Sequence, residues 1–395
     1  MLVIACPGQG SQKPGFLAPW LEVPGFADRL HWLSVVSGLD LEAHGTTSDA
    51  ETIRDTAVAQ PLLVASGLLS LLALFPRPDD AFSLVGMAAG HSVGEITAAA
   101  AAGVVSAEQA MVLVRERGRG MAAASATAPT GMSAVVGGDP DDVAATLARH
   151  GLVAANANGA GQVVAAGTTE QLAALRADGP ARARVIPLSV AGAFHTEHMA
   201  PAVPELERLA RAITTHDPRV LLASNADGTL LHDGAQVLRR IVAQVARPVR
   251  WDLCQQTFAD RGVTGLLEVP PAGTLTGLAK RSLPGVETFA LTSPDQLDDA
   301  RAFVARHGEP STVEGAPPWR LVVAPAKGVV HVQGPREEGA AVEPGAVVAR
   351  VEGLRDGHDA TAPHGGCVLE WLVEDGDPVA PGQPLVRLHP VGGAA

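Results

Sequence analysis

The stretch Ala88-Ala89-Gly90-His91-Ser92-Val93-Gly94-Glu95 carries the pattern Gly-x-Ser-x-Gly between an apolar run and an alanine-rich run. A serine on a sharp strand-to-helix turn is pushed up from the backbone as a nucleophile, and the flanking glycines leave room for the turn and for close approach of a substrate. The helix behind it points free N–H groups and a positive dipole end at any oxyanion formed there. The pattern is short and the chain has 43 glycines, so an ordinary strand-to-helix turn is the competing reading. A second reactive candidate is His195 in Phe194-His195-Thr196-Glu197-His198, which can serve a serine as base. His195 and His198 could also begin a metal site, but no third ligand is close and Glu197 is misplaced for the zinc-protease pattern, so no metal is expected.

These residues need elements to hold them. Ser83 to Ala88 reads as a buried strand and Ile96 to Ala102 as a packed helix, with a first strand at Leu2 to Cys6. The loop Pro7-Gly8-Gln9-Gly10-Ser11-Gln12 frees backbone N–H groups for a ligand, or is a plain turn. Amphipathic segments follow at Phe26 to Leu33 and Ala57 to Leu74, the second broken at Gln60-Pro61. Ser106 with Gln109 forms a capping-box pattern that opens a helix, and Arg117 is read near that helix's end, where an arginine complements the dipole. Between Met132 and Pro187 short strands and helices alternate in a βαββαβ order, the ferredoxin-like plan, inserted into a larger α/β unit. Val220 to Ser224 and Leu266 to Val269 read as further strands, and Ile241 to Val245 as helical.

A chain of 395 residues with 47% apolar composition allows two or three domains and a sizeable core. A net charge of −13 argues against nucleic acid or an anionic membrane as main partner. The basic spots Arg239-Arg240 and Lys280-Arg281 are solvated helix faces or a dock for an acidic partner. Three cysteines, Cys6, Cys254 and Cys367, in no metal or redox spacing fit a reducing compartment, hence a cytoplasmic location. No run of about eighteen apolar residues is present to span a membrane, and Leu2 to Cys6 reads as a strand rather than a lipoprotein cleavage site. Residues 307 to 318, rich in Pro and Gly, read as a linker. Beyond it the chain repeats: Ala324-Pro325 with Gly328-Val329-Val330 returns as Ala362-Pro363 with Gly366-Cys367-Val368. Two such units should fold as a quasi-symmetric β-sandwich or flattened barrel, each covering the other's apolar face.

Over residues 1 to 292 the chain resembles the malonyl-CoA:acyl-carrier-protein transacylases and the acyltransferase domains of polyketide synthases. The resemblance rests on Pro7-Gly8-Gln9-Gly10-Ser11-Gln12, Val58-Ala59-Gln60-Pro61, Gly90-His91-Ser92-Val93-Gly94-Glu95, Arg117-Gly118 with Met121, Gly131-Met132-Ser133-Ala134-Val135, Gly161-Gln162-Val163-Val164, Phe194-His195-Thr196 with Met199, Gln244 before Pro248-Val249-Arg250-Trp251, and Leu275-Thr276-Gly277-Leu278. It implies an α/β-hydrolase-like core, made of 1–124 and 190–292, with the ferredoxin-like subdomain at 125–189 and a helix and linker at 293–319. It also implies that Ser92 takes the malonyl group from malonyl-CoA with His195 as base and passes it to the pantetheine thiol of an acyl carrier protein. A backbone carbonyl near Gln244 would orient His195, and the N–H groups of Gln9 and Val93 would form the oxyanion hole. Arg117 would offer its planar fork to the malonyl carboxylate. His91, Phe194, Gln60 and Asn156 would line the acyl pocket, and Phe194 with Val93 would disfavour methylmalonyl, a methyl group being worth about 1 to 3 kcal/mol. Pro270-Pro271-Ala272-Gly273 departs from the family's usual Gly-Pro-Gly turn.

Residues 320 to 390 resemble the biotinyl and lipoyl carrier domains, a small all-β fold. Arg355 stands at the turn where those domains place their lysine. A guanidinium stays protonated and is not acylated, so neither biotin nor lipoate is expected, and no other cofactor. The domain is then a carrier fold kept for stability or for docking a synthase or carboxylase. Two other readings of the chain remain: a thioester hydrolase on the same scaffold, and a scaffold that recruits a carboxylase or synthase through this domain.

Overall fold

Val3, Ala5, Met87, Ala89, Leu221, Ala223 and Leu266 face one apolar layer, while their neighbours Ile4, Cys6, Ala88, Leu222 and Leu267 face another. Side chains on a strand alternate between faces, so these strands lie in a sheet covered on both sides. In the computed structural model, which describes residues 1–309, 320–353, 356–363 and 365–389, that sheet runs Glu287–Ala290, Gly265–Glu268, Leu2–Cys6, Met87–Gly90, Leu221–Ala223 and Leu230–Leu231 from edge to edge. The first five strands are parallel and the last is antiparallel. The chain divides into two units, Met1–Val313 and Glu314–Ala395, and this sheet belongs to the first.

Several local expectations shift. Ser83 and Leu84 close a helix, Pro78–Leu84, that opens with proline in its first turn, and the strand begins only at Met87. The helix Thr56–Leu74 passes through Pro61 unbroken. Buried on nearly every side rather than amphipathic, it tolerates the one hydrogen bond that proline removes because its packing is so extensive. It is long and apolar enough to cross a membrane, with mean hydropathy 2.0 over its most apolar window, yet 72% of that window is buried inside the fold.

The capping box at Ser106 and Gln109 is present, but its helix, Ala107–Ser125, runs well past Arg117. Gly118 does not end it. A Cβ there would lie 2.9 Å from the Thr56 carbonyl oxygen and 3.2 Å from Ala57 Cα, so this glycine lets two helices approach closely. Arg117 therefore sits mid-helix on the buried stripe of Ala110, Val114 and Met121.

Between helix Ala107–Ser125 and His195 the elements are Thr130–Gly137, helix Pro140–Arg149, Val153–Gly159, Gln162–Thr168, helix Thr169–Ala177 and Ala183–Pro187. Asp139 and Thr168 cap the two helices through their side chains. The strands pair in the order Ala183–Pro187, Thr130–Gly137, Gln162–Thr168, Val153–Gly159, and a two-residue strand, Val249–Arg250, adds parallel to the last. That addition ties Asn156 to Val249, just beyond Gln244. Helix Leu297–His307 follows the large sheet, and residues 310–319, most of the expected linker, lie outside the described residues.

The second unit holds two four-stranded antiparallel sheets. One runs Arg320–Val323, Pro384–His389, Gly366–Trp371, Ala341–Val342; the other runs Gly357–Ala362, Ala346–Glu352, Gly328–Val332, Pro378–Val379. Exchanging each strand for its counterpart in the other repeat turns the first order into the second. Each sheet thus draws two strands from each repeat, and their apolar faces share one core that includes Val330, Val351, Val368 and Leu385. Arg355 lies outside the described residues.

Candidate active site

The elbow forms because small residues allow two backbones to meet. A Cβ on Gly90 would sit 1.9 Å from the Gly94 carbonyl carbon, and one on Gly94 would sit 2.1 Å from the Cys6 carbonyl oxygen. Neither is possible without moving backbone, so glycine is required at both. Between them Ser92 adopts φ 54°, a left-handed conformation that non-glycine residues seldom hold. Asn225 fixes it: its Oδ1 accepts from Ser92 N at 2.8 Å and its Nδ2 donates to the Gly90 carbonyl at 2.8 Å.

Ser92 Oγ lies 2.7 Å from His195 Nε2. The other ring nitrogen, Nδ1, lies 2.8 Å from the main-chain carbonyl oxygen of Gln244, which can only accept, so Nδ1 carries the proton and Nε2 presents its lone pair to the serine. Burial, and next the Arg117 charge, push the His195 imidazole down to about 3. The ring is neutral at rest. His198 takes no part at Ser92.

Arg117 is almost fully buried, with 1% exposure. Its Nη1 donates to Gln60 Oε1 at 2.7 Å, and its Nη2 donates to Gln244 Oε1 at 2.9 Å and to Ser92 Oγ at 3.3 Å. Its Nε is buried without a partner among the described residues. Burial lowers the guanidinium to about 10, against the opposing pull of Glu95, so it remains a cation near neutral pH. Glu95, in the first turn of the elbow helix, accepts from Asn225 N at 2.6 Å and from Gln244 Nε2 at 2.5 Å. Burial raises its carboxyl to about 7, against those hydrogen bonds and Arg117.

A cleft of about 440 Å³ opens over Ser92. Gln9, Gln60, His91, Asn156, Phe194 and His195 all line it, whereas the Val93 side chain is buried in the apolar layer and does not. Arg117 stands behind Ser92 and Gln60 at the inner end. His91 Nε2 lies 2.9 Å from Asn158 Oδ1, and the ring meets Trp251 edge to face at 5.7 Å. Among the described residues neither the Gln9 nor the Val93 N–H donates to a protein acceptor. Gln9 is held by its side-chain Nε2 on the Arg54 carbonyl and Thr56 Oγ1, both at 3.2 Å.

Asn225, Glu95 and Asn158 were not singled out by the residue pattern. Glu95 stands inside the quoted elbow motif and Asn225 at the carboxyl end of a parallel strand, the usual edge for ligand sites in such sheets. A half-buried nucleophile at the cleft, a neutral base held by a carbonyl and a buried cation can together perform acyl transfer on a thioester or ester carrying a negative charge.

Residues 3–305 match the family model described as an acyl transferase domain. The malonyl CoA-acyl carrier protein transacylase of Mycobacterium bovis is 50% identical over 299 residues, covering 76% of this chain and 99% of that protein. That of Mycolicibacterium smegmatis is 51% identical over 286 residues, covering 71% and 98%. The crystal structure of MCAT from Mycobacterium tuberculosis superposes with TM-score 0.74 at 50% identity, covering 76% of this chain and 99% of that one. The second unit lies beyond the family match.

Proposed function

The chain belongs to the acyl transferase family of the malonyl CoA-acyl carrier protein transacylases, and we propose that it catalyses their reaction through Ser92. It moves the malonyl group from malonyl-CoA to the phosphopantetheine thiol of an acyl carrier protein, in fatty-acid or polyketide synthesis. The observation that carries this assignment of residues is the meeting of His195 Nε2 and Arg117 Nη2 on one hydroxyl, Ser92 Oγ.

In the first half-reaction Ser92 Oγ attacks the thioester carbonyl carbon and its proton passes to His195 Nε2. The carbonyl of Gln244 keeps the ring in place as it becomes positive, and the oxyanion on the carbonyl oxygen is received by the Gln9 and Val93 N–H groups. As the C–S bond breaks, His195 returns the proton to the departing CoA thiolate. In the second half-reaction the pantetheine thiol gives its proton to His195, its sulfur attacks the malonyl-serine, and Ser92 recovers the proton on release. The malonyl carboxylate displaces Gln60 Oε1 from Arg117; acetyl would leave that buried cation without the anion. Phe194 narrows the cleft on the acyl side, with His91, Gln60 and Asn156 around it.

The fold supports this reading at a finer level. The mostly parallel sheet and elbow fit an α/β-hydrolase-like core of 1–124 and 190–292, and the strand order in 125–189 fits the ferredoxin-like plan. The two-fold strand exchange supports a biotinyl/lipoyl-like fold for 320–390. We read that unit as carrying no biotin or lipoate and as serving stability or the docking of a synthase or carboxylase. The three free cysteines fit work in the cytoplasm. Incubation with malonyl-CoA or acetyl-CoA and a holo acyl carrier protein tests the function: malonyl must appear on the carrier far faster than acetyl, and equal rates contradict it.

A further inference from the structure

Glu95 is buried and does not line the cleft, and among the described residues its carboxylate makes no hydrogen bond to Ser92, His195 or Arg117. The malonyl-transfer mechanism does not use it. Yet its carboxylate reaches the site through one residue. Gln244 Nε2 is surrounded by three oxygens: Glu95 Oε2 at 2.5 Å, Asn225 Oδ1 at 3.1 Å and the Ser92 carbonyl at 3.3 Å. The other end of the same amide, Oε1, accepts from Arg117 Nη2 at 2.9 Å. Inverting the amide would press an NH2 against the guanidinium and an oxygen against three acceptors.

We propose, resting on the malonyl-transfer reading, that Glu95 is a positioning residue for substrate selection: it holds Gln244 with its oxygen on Arg117 and so sets the guanidinium to receive a carboxylate. Both groups that face the Glu95 carboxyl, Asn225 N and Gln244 Nε2, are donors, and once ionised, above about pH 7, the carboxylate only accepts and so dictates which end of Gln244 faces it. A neutral amide at position 95 can either donate or accept, so in Glu95→Gln the two facing amides could flip together. Arg117 depends on this hold because its Nε has no partner among the described residues and its two Nη groups rely on Gln60, Gln244 and the Ser92 hydroxyl. Gln244 also touches the base, since its main-chain carbonyl orients His195. It is thus the joint between proton transfer and carboxylate recognition, and Glu95 fixes its side-chain half.

A shorter carboxylate keeps an acceptor-only group at position 95, whereas an amide there does not. The measurement is the rate of CoA release on Ser92 acylation with malonyl-CoA and with acetyl-CoA, in wild type, Glu95→Gln and Glu95→Asp. Glu95→Gln is expected to lower the malonyl-to-acetyl ratio by about tenfold or more, with KM for malonyl-CoA rising, and Glu95→Asp to keep it within about threefold of wild type. A ratio unchanged in Glu95→Gln, or a Glu95→Asp ratio as low as that of Glu95→Gln, overturns the proposal. If Glu95→Gln does not fold, Glu95→Asp decides: a wild-type ratio supports the role, while a low ratio or failure of Glu95→Asp to fold contradicts it. Wild type that takes no malonyl from malonyl-CoA would instead sink the transfer reading itself, which separates the two failures.

Discussion

Ser92 Oγ and His195 Nε2, 103 positions apart in the chain, stand 2.7 Å from each other, and both residues hold a left-handed backbone, φ 54° and 61°. Such conformations survive only where surrounding structure over-determines them. At Ser92 the determinants are the two glycines and Asn225; at His195 they are two hydrogen bonds, Nδ1 donating to the Gln244 carbonyl and Nε2 accepting from Ser92 Oγ.

Gly94→Ala should destabilise the first unit by at least about 3 kcal/mol or prevent its folding, because the new Cβ meets main-chain oxygen rather than a movable side chain. Gly277→Ala, inside the helix Thr274–Ser282 with nothing within 4 Å of the added atom, should stabilise by about 0.5 to 1 kcal/mol. Denaturant unfolding of both variants checks the contrast. A well-folded Gly94→Ala protein with normal activity would show that the elbow is looser than described.

Much of this site was legible in the residues, for identifiable reasons. Gly-x-Ser-x-Gly states its own backbone requirement, and the βαββαβ order shows in the alternation of short strands and helices between Met132 and Pro187. Arg117 reads as lying near a helix end, whereas the helix runs on through Gly118, and the contact that requires this glycine, the Thr56 carbonyl 2.9 Å from a would-be Cβ, lies 62 positions away. Asn225 and Glu95 escaped for the same reason, being joined to each other across 130 residues. The strand Val249–Arg250 is too short to show any period.

Arg117→Ala should cut transfer from malonyl-CoA by about 30-fold or more, since a charge-assisted pair to a buried carboxylate is worth roughly 1.5 to 3 kcal/mol. Transfer from acetyl-CoA should fall much less. Steady-state kinetics with both donors checks this, and an unchanged malonyl preference would remove Arg117 from carboxylate recognition.

His195, depressed to about 3, stays neutral at every pH from 8 down to 5. The folded chain declines a proton that the unfolded chain accepts below about 6.5, so this residue costs stability progressively as pH falls from 6.5 towards 3. In a titration of histidine-labelled protein followed by NMR, the His195 ring signals should not move between pH 8 and 5. A midpoint near 6.5 would mean the ring is hydrated and not the dry base described.

The first unit has apolar cores of its own, so a chain ending at Val313 should fold and keep wild-type malonyl transfer to within about threefold. Circular dichroism and the transfer assay test it. Loss of transfer in a folded truncation would assign the second unit a direct part in the reaction.

The central claim is that Ser92 carries the malonyl group between two thiols. Acid-quenched protein, taken after mixing with malonyl-CoA, should show one added malonyl group by intact mass, placed on the peptide containing Ser92, and the adduct should discharge onto a holo acyl carrier protein faster than into water. Absence of the adduct, its location on another residue, or its loss to water alone would contradict the account.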